Sequence, residues 1–114
     1  MILIVDDDPD IRMLLREGLN EKLFDTLEAK NGAEALKIVH EKKRLIQAVI
    51  CDYNMPVMGG LSLLVKIRMI RPKMPVIIIS AHPKALPTEV MNDRFLKIFE
   101  KPFDIEETIE AMAR

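Results

Sequence analysis

Three short runs of almost unbroken apolar, largely β-branched character limit what this chain can become: "ILIV" (Ile2 to Val5), the end of "QAVICD" (Gln47 to Asp52) and "VIIIS" (Val76 to Ser80). A strand with one wet face alternates apolar and polar residues, so solid runs like these belong to strands buried on both faces. Between them the apolar residues fall instead on helical stripes: Ile11, Leu14, Leu15 and Leu19, then Leu36 and Val39, then Leu61 and Leu64, and finally Ile105, Ile109 and Met112. Two weaker strands, Phe24 to Ala29 and Phe95 to Phe99, mix charge into the pattern and suit the edges of a sheet. The expectation is an α/β fold with five strands and five helices in strict alternation. Such repetition implies a doubly wound parallel sheet with right-handed crossovers and helices on both faces.

At 114 residues and 49% apolar content the chain can bury a core as one domain, 1–114, and no linker or low-complexity stretch divides it. Seventeen basic and eighteen acidic residues leave a net charge of −1, so nothing global attracts nucleic acid or an anionic membrane, and neither is expected as a direct partner. Any function based on charge has to be local. The single cysteine, Cys51, has no internal disulfide partner, and the first apolar run is too short for a signal peptide or a membrane span, which favours a cytoplasmic protein.

The first strand then runs straight into charge. "ILIVDDDPDIR" (Ile2 to Arg12) places three consecutive aspartates, a proline and a fourth aspartate directly after four apolar residues. Helix initiation explains part of this, with Asp8 as N-cap, Pro9 in the first helical position and Asp10 opposite the positive helix end. Asp6 and Asp7 are left over. Ligands of parallel α/β sheets bind outside the carboxyl ends of the strands, and there a further acid, Asp52, closes the third strand in "VICDYNMP". Neighbouring strands lie only about 4.8 Å apart, so adjacent first and third strands would crowd three carboxylates together. Crowding of that kind is costly unless an acid is protonated or a cation binds, and an all-oxygen cluster with an open side suits Mg²⁺. Solvated loop caps are the alternative on spacing alone. Ser80 offers a hydroxyl at the end of its strand and Lys101, in "FEKPF", a cation. Singly each is ordinary, a turn serine and a solvated lysine. Acids, metal, hydroxyl and ammonium together are equipment for holding a phosphoryl group, whose transfer needs mainly positioning and charge neutralisation.

Taken together, "ILIVDDDPDIR", "NGAEAL", "VICDYNMPVMGGLSLL", "PVIIISA" and "KPFD" resemble the receiver domain of two-component response regulators, in order and nearly in spacing, over essentially the whole chain. The resemblance implies a flavodoxin-like (βα)5 sheet of strand order 2-1-3-4-5. It implies that Asp52 accepts a phosphoryl group from a sensor histidine kinase or phosphotransfer protein in a Mg²⁺-dependent step. Asp7, Asp52 and the main-chain carbonyl of Asn54 would bind the metal directly, with Asp6 reaching it mainly through water. Ser80 matches the hydroxyl residue that moves toward the phosphoryl group, and Lys101 the lysine that pairs with it. Gly59 and Gly60 match the turn before the third helix, and Lys101–Pro102 resembles a peptide that is cis in the family. Such a domain catalyses only its own phosphorylation and dephosphorylation. Its acyl phosphate biases a two-state equilibrium in the fourth and fifth βα units and so switches a downstream protein target or a fused output domain, with a homodimer among the arrangements open to it.

Some positions depart from the family. Ile98 stands where an aromatic switch residue is common, and Phe99, one residue later, should point to the opposite face. Pro83 and Pro87 interrupt "AHPKALPTEVMNDRFLK", so the fourth helix is expected to be short or shifted. The third helix is apolar on more than one side, which suggests a deeper core contact, and Met55, Met58, Met69 and Met74 are expected as gap fillers. His82 is placed along the route of a hydrolytic water. Two other classes fit the acids: a Mg²⁺-dependent phosphohydrolase, disfavoured because no insertion is long enough for a substrate cap, and a phosphorylation-independent scaffold. The chain stops at Arg114 soon after "DIEETIEAM", with no DNA-binding or catalytic output segment after the last helix, so stand-alone and excised receivers are both open.

Overall fold

The computed structural model describes residues 1 to 113; Arg114, the last residue of the expected span, lies outside the described residues. The solid apolar runs become β1 (Ile2–Val5), β3 (Ala48–Asp52) and β4 (Val76–Ser80), which are buried at every position. The charge-mixed segments become β2 (Thr26–Ala29) and β5 (Leu96–Glu100), each starting one or two residues later than the apolar pattern suggests. All pairings are parallel, in the order β2-β1-β3-β4-β5, so the two weaker strands are the edges.

Period two divides the core between the faces. Ile2, Ile4, Ile50, Ile77 and Ile79 meet α1 (Pro9–Glu21) and α4 (Ile105–Ala113) through Leu15, Leu19 and Ile109. Leu3, Val5, Val49, Cys51 and Ile78 meet α2 (Gly32–Lys42) and α3 (Gly60–Ile70) through Val39, Leu63 and Ile67. Ile98 joins the second group and Phe99 the first, as alternation along β5 requires. The first helix starts as expected, Asp8 Oδ1 accepting from the Asp10 N–H at 2.9 Å with Pro9 in the first turn. At α2, Asn31 Oδ1 accepts from Glu34 N–H at 2.8 Å while Glu34 Oε1 accepts from Lys30 N–H at 3.3 Å.

Three expectations need correction. Leu14 is exposed while Leu15 and Leu19 are buried, because the sheet-facing stripe of α1 is narrower than the apolar pattern. On α3 the second apolar side faces solvent: Val65 and Met69 are exposed, and of the four methionines only Met74 is fully buried, with Met55 and Met58 packed against the core. Four α-helices, not five, occur among the described residues. Between β4 and β5 the chain makes two 3-10 turns, Pro83–Ala85 and Thr88–Asn92. Pro83 and Pro87 donate no hydrogen bond and push His82 and Leu86 out of the helical region, so a continuous helix cannot form.

Two anchors hold this segment in place of helical hydrogen bonds. Leu86 is buried in the α2/α3 core with Val90 packed against the same cluster. Arg68 of α3 donates Nε and Nη2 to the two carboxylate oxygens of Asp93 and Nη1 to the Met74 carbonyl at 2.8 Å. Burial pushes the Asp93 carboxyl up, but the hydrogen bonds from Arg68 and the Phe95 N–H, with the Arg68 charge, outweigh it and hold Asp93 below the usual carboxylate range. This support is present above the ordinary carboxylate pKa and fades as pH falls through the lowered one. Few hydrogen bonds make for low-energy opening. Amide exchange across 83–94 is therefore expected to run faster than across α3, and Arg68→Ala should speed it further without touching β1 or β3. Protection equal to that of α3 in both proteins would contradict this.

Candidate functional site

Parallel pairing delivers the sequence-selected groups to one edge. Val5 lies opposite Cys51, so the residues that follow them, Asp6 and Asp52, leave neighbouring strands side by side. Carboxylate oxygens of Asp6, Asp7 and Asp52 all lie within 4.8 Å of one another. Asp6 and Asp52 are each 5% exposed, while Asp7 is open to solvent. Ser80 lies opposite Glu100 in the β4/β5 register, and the Lys101 N–H continues that ladder by donating to the Ser80 carbonyl at 2.8 Å. From there the Lys101 stem reaches across β4 and places Nζ 2.7 Å from Asp52 Oδ1. The Lys101–Pro102 peptide is cis.

The Lys101 contact neutralises charge, yet its angles do not make a hydrogen bond, and the buried Asp52 Oδ1 has no donor among the described residues. A buried carboxylate whose close partner is one partly exposed ammonium keeps the capacity to accept a further cation or donor. Asp52 lines a cleft of about 510 Å³ together with Asp6, Asp7, Lys101, Pro102 and Phe103, among others. Another cavity, about 380 Å³, lies at the amino edge of the sheet near Phe24, Val76 and Arg94 and contains none of these acids.

Burial, first, and then the Asp52 and Asp7 charges push the Asp6 carboxyl up to about 6, against the lowering effects of the Asp8 N–H and Lys101. The Asp8 N–H donates to Asp6 Oδ1 at 2.9 Å. The Cys51 thiol is pushed up to about 12 by burial and by Asp52 and Asp6, so it stays a neutral core group.

The loop after β3 is set by a glycine. The Gly60 N–H donates to the Tyr53 carbonyl at 2.9 Å, and a Cβ at Gly60 would sit 2.7 Å from the Asp52 carbonyl oxygen. Only glycine lets α3 begin this close to the site. Asn54 lies on the exposed loop just before that turn and does not line the cleft. Ser80 is buried, does not line the cleft either, and its Oγ accepts from the His82 N–H at 3.0 Å. His82 is exposed beside Ala81, Pro83, Lys84 and Glu100. One residue that sequence reasoning passed over is Arg12, whose Nη1 donates to the Asp6 carbonyl at 2.6 Å. A cation one turn into α1, able to face the lone acid of the edge strand β2, was the signal available.

This geometry defines a flavodoxin-like parallel sheet with a buried acid–lysine site at its carboxyl edge. The family model for the response regulator receiver domain matches residues 2–113. The chain is 36% identical over 114 residues to sporulation initiation phosphotransferase F of Bacillus subtilis, covering 99% of this chain and 90% of that protein. It is 38% identical over 81 residues to the transcriptional regulatory protein GlrR of Escherichia coli, covering 71% of this chain but only 18% of that longer protein. Among solved structures it resembles a receiver domain protein from Clostridium thermocellum, with TM-score 0.88, 28% identity, and coverage of 98% of this chain and 90% of that one. It also resembles the chemotaxis protein CheY4 of Vibrio cholerae, with TM-score 0.85, 27% identity, and coverage of 99% and 95%. The chain belongs to the response regulator receiver domain family. It is thus a signalling domain of two-component systems and not a classical enzyme, and no described helix is long and apolar enough to cross a membrane.

The raised Asp6 carboxyl carries a stability cost with a definite sign. Below pH 3.8 both folded and unfolded chains hold the proton, and Asp6 costs nothing. As pH rises to about 6 and beyond, the folded chain must ionise a group that burial disfavours, and stability is lost. Asp6→Asn should therefore stabilise the metal-free protein at pH 7.5 by about 1–3 kcal/mol and have little effect at pH 3.5. Urea melts at the two pH values would show it, and equal effects at both would contradict the burial argument.

Proposed function

We propose that Asp52 is a phosphoacceptor. It takes its phosphoryl group from a sensor histidine kinase or phosphotransfer protein and thereby switches the affinity of this domain for a downstream target or fused output domain. The observation that carries this reading is the buried Asp52, held 2.7 Å from Lys101 Nζ and lining an acidic cleft with Asp6 and Asp7. On this reading residues 1–114 form one receiver unit working in the cytoplasm, with no direct nucleic acid or membrane contact.

The donor set fits Mg²⁺: clustered carboxylate oxygens, no soft ligand able to compete because Cys51 stays protonated, and an open side toward solvent. Asp7 and Asp52 would hold the ion, with Asp6 contributing through water; the Asn54 carbonyl, outside the cleft as it stands, would join them only if the loop after β3 turned it inward. When bound, Mg²⁺ supplies positive charge against the phosphoryl oxygens. A carboxylate oxygen of Asp52 attacks phosphorus, the bond from phosphorus to the donor imidazole nitrogen breaks, and the nitrogen keeps its electron pair. Lys101 offsets the charge that remains on the transferred oxygens. Ser80, whose oxygen already accepts from the His82 N–H, retains its own proton to donate to the new phosphoryl group once it turns toward Asp52. His82, two residues past Ser80 and exposed, would stand beside the route of the water that later hydrolyses the acyl phosphate.

Incubation with a small phosphodonor and Mg²⁺ should add one phosphoryl group to the wild type and none to Asp52→Asn, as read by intact-protein mass. Equal labelling of the mutant would overturn the assignment. Steady release of phosphate from an external phosphomonoester would instead favour a phosphohydrolase.

The acids on either side of the metal site separate by role. Asp7→Asn should lose most Mg²⁺ affinity, whereas Asp8→Asn should retain it. Asn at this position still offers Oδ1 to the Asp10 N–H, so the helix cap survives and only the charge facing the positive helix end is lost. Calorimetric titration of both variants tests this, and comparable affinity losses would mean the register of the acidic run is misread.

A further inference from the structure

We infer that Arg12 is a positioning residue for the acidic cluster: its guanidinium, braced by Glu28, holds the peptide between Asp6 and Asp7 in the orientation that lets both side chains serve one cation. The inference rests on the Mg²⁺ reading above. In an extended strand successive side chains point to opposite faces. Were β1 to continue unchanged, Asp6 and Asp7 would diverge, yet their carboxylate oxygens lie within 4.8 Å of each other and of Asp52. The chain must leave strand geometry at this peptide and be held there.

Three hydrogen bonds fix Asp6. Its N–H donates to the Ala29 carbonyl at 3.1 Å, and its Oδ1 accepts from the Asp8 N–H at 2.9 Å. The third bond fixes the plane of the peptide in question, because Arg12 Nη1 donates to the Asp6 carbonyl at 2.6 Å. The guanidinium cannot swing away, since its Nε sits 3.2 Å from Glu28 Oε1 on the edge strand β2, and Arg16 Nη1 pairs with Glu28 Oε2 at 2.7 Å. Planar, many-donor geometry lets one side chain make both contacts, which an ammonium cannot do. Edge strand, first helix and acid loop are thereby tied together through side chains that are only partly exposed.

Charge and geometry make opposite predictions for this residue. As a cation near a cation site, Arg12 should weaken Mg²⁺ binding, so removing its charge should strengthen it. As a brace, its loss should weaken binding, and partners that orient metal ligands typically matter by about tenfold or more in affinity. The experiment measures Mg²⁺ dissociation constants for wild type, Arg12→Gln, Arg12→Lys and Arg16→Gln, together with amide exchange at Asp6 and Asp8, whose N–H groups are hydrogen-bonded, in the metal-free proteins. Arg16 shares Glu28 but does not touch the Asp6 carbonyl, so it controls for charge and for the edge-strand contact. Affinity should fall about tenfold in Arg12→Gln, fall less in Arg12→Lys and stay within about twofold in Arg16→Gln. Exchange at Asp6 and Asp8 should quicken only in the Arg12 variants. Tighter or unchanged Mg²⁺ binding in Arg12→Gln, or equal losses in Arg12→Gln and Arg16→Gln, overturns the inference. A wild type with no saturable Mg²⁺ binding that Asp7→Asn abolishes would take down the metal reading itself. In that case quickened exchange confined to the Arg12 variants still supports the brace, and unchanged exchange overturns it.

Discussion

The pairing of β1 with β3 forces two carboxylates into one water-poor space, because Val5 lies opposite Cys51 and each strand continues with an aspartate. Both strands are buried on both faces, so neither can slide or twist to separate the acids without moving core side chains such as Ile4, Val5, Ile50 and Cys51. The repulsion is thus built in by hydrophobic packing, and local groups have to relieve it. Lys101 does so from two strands away at Asp52, the Asp8 N–H does so at Asp6, and Asp6 still ionises reluctantly, at about 6. A site held this way is incomplete without further positive charge. On the proposed reading, a cation and a phosphoryl group would supply what this crowding leaves wanting.

A rigid edge also decides where movement can happen. The acid-bearing strands are fixed by the core and Lys101 is fixed by the β5 ladder, which leaves the chain after Ser80 as the soft element. There the prolines have replaced helical hydrogen bonds with one buried leucine and one arginine–aspartate pair. The same few residues that break the helix place a segment with few helical hydrogen bonds next to the site.

The fold was legible because solid β-branched runs have few other uses in a chain of this length. Even the edge strands could be told from the central ones by the charges at Glu28 and Lys97. Asp6, Asp7, Asp52 and Lys101 were legible for the same reason, since each closes or follows a strand whose direction fixes where its end lies. Ser80 and Asn54 were placed at the right edge, but their orientation could not be read: a hydroxyl's partner and a carbonyl's aim depend on turn geometry that no periodicity encodes. Arg12 was missed because its partners are a main-chain carbonyl and a residue 16 positions away across the sheet. The exposed side of α3 was misjudged because apolar character on a helix says what could be buried, not whether anything is there to bury it.

If Asp52 is phosphorylated as proposed, the Ser80 hydrogen bond would limit how the resulting switch could work. Its oxygen is tied to the His82 N–H, the residue before the first 3-10 turn, so turning Ser80 toward Asp52 pulls directly on the soft segment. A single hydrogen bond of this kind contributes about 1 kcal/mol net. Moving a two-state equilibrium from nearly all of one form to nearly all of the other takes about 5.5 kcal/mol. Ser80 alone therefore cannot throw the segment fully over. The remainder has to come from the phosphoryl charge acting on Lys101, whose main chain is bonded to the Ser80 carbonyl, or from a partner that binds only the shifted form. Because Lys101 and Ser80 share that ladder bond, the first source would load the carboxyl ends of β4 and β5 together, and the joining segment would receive the pull where it leaves Ser80.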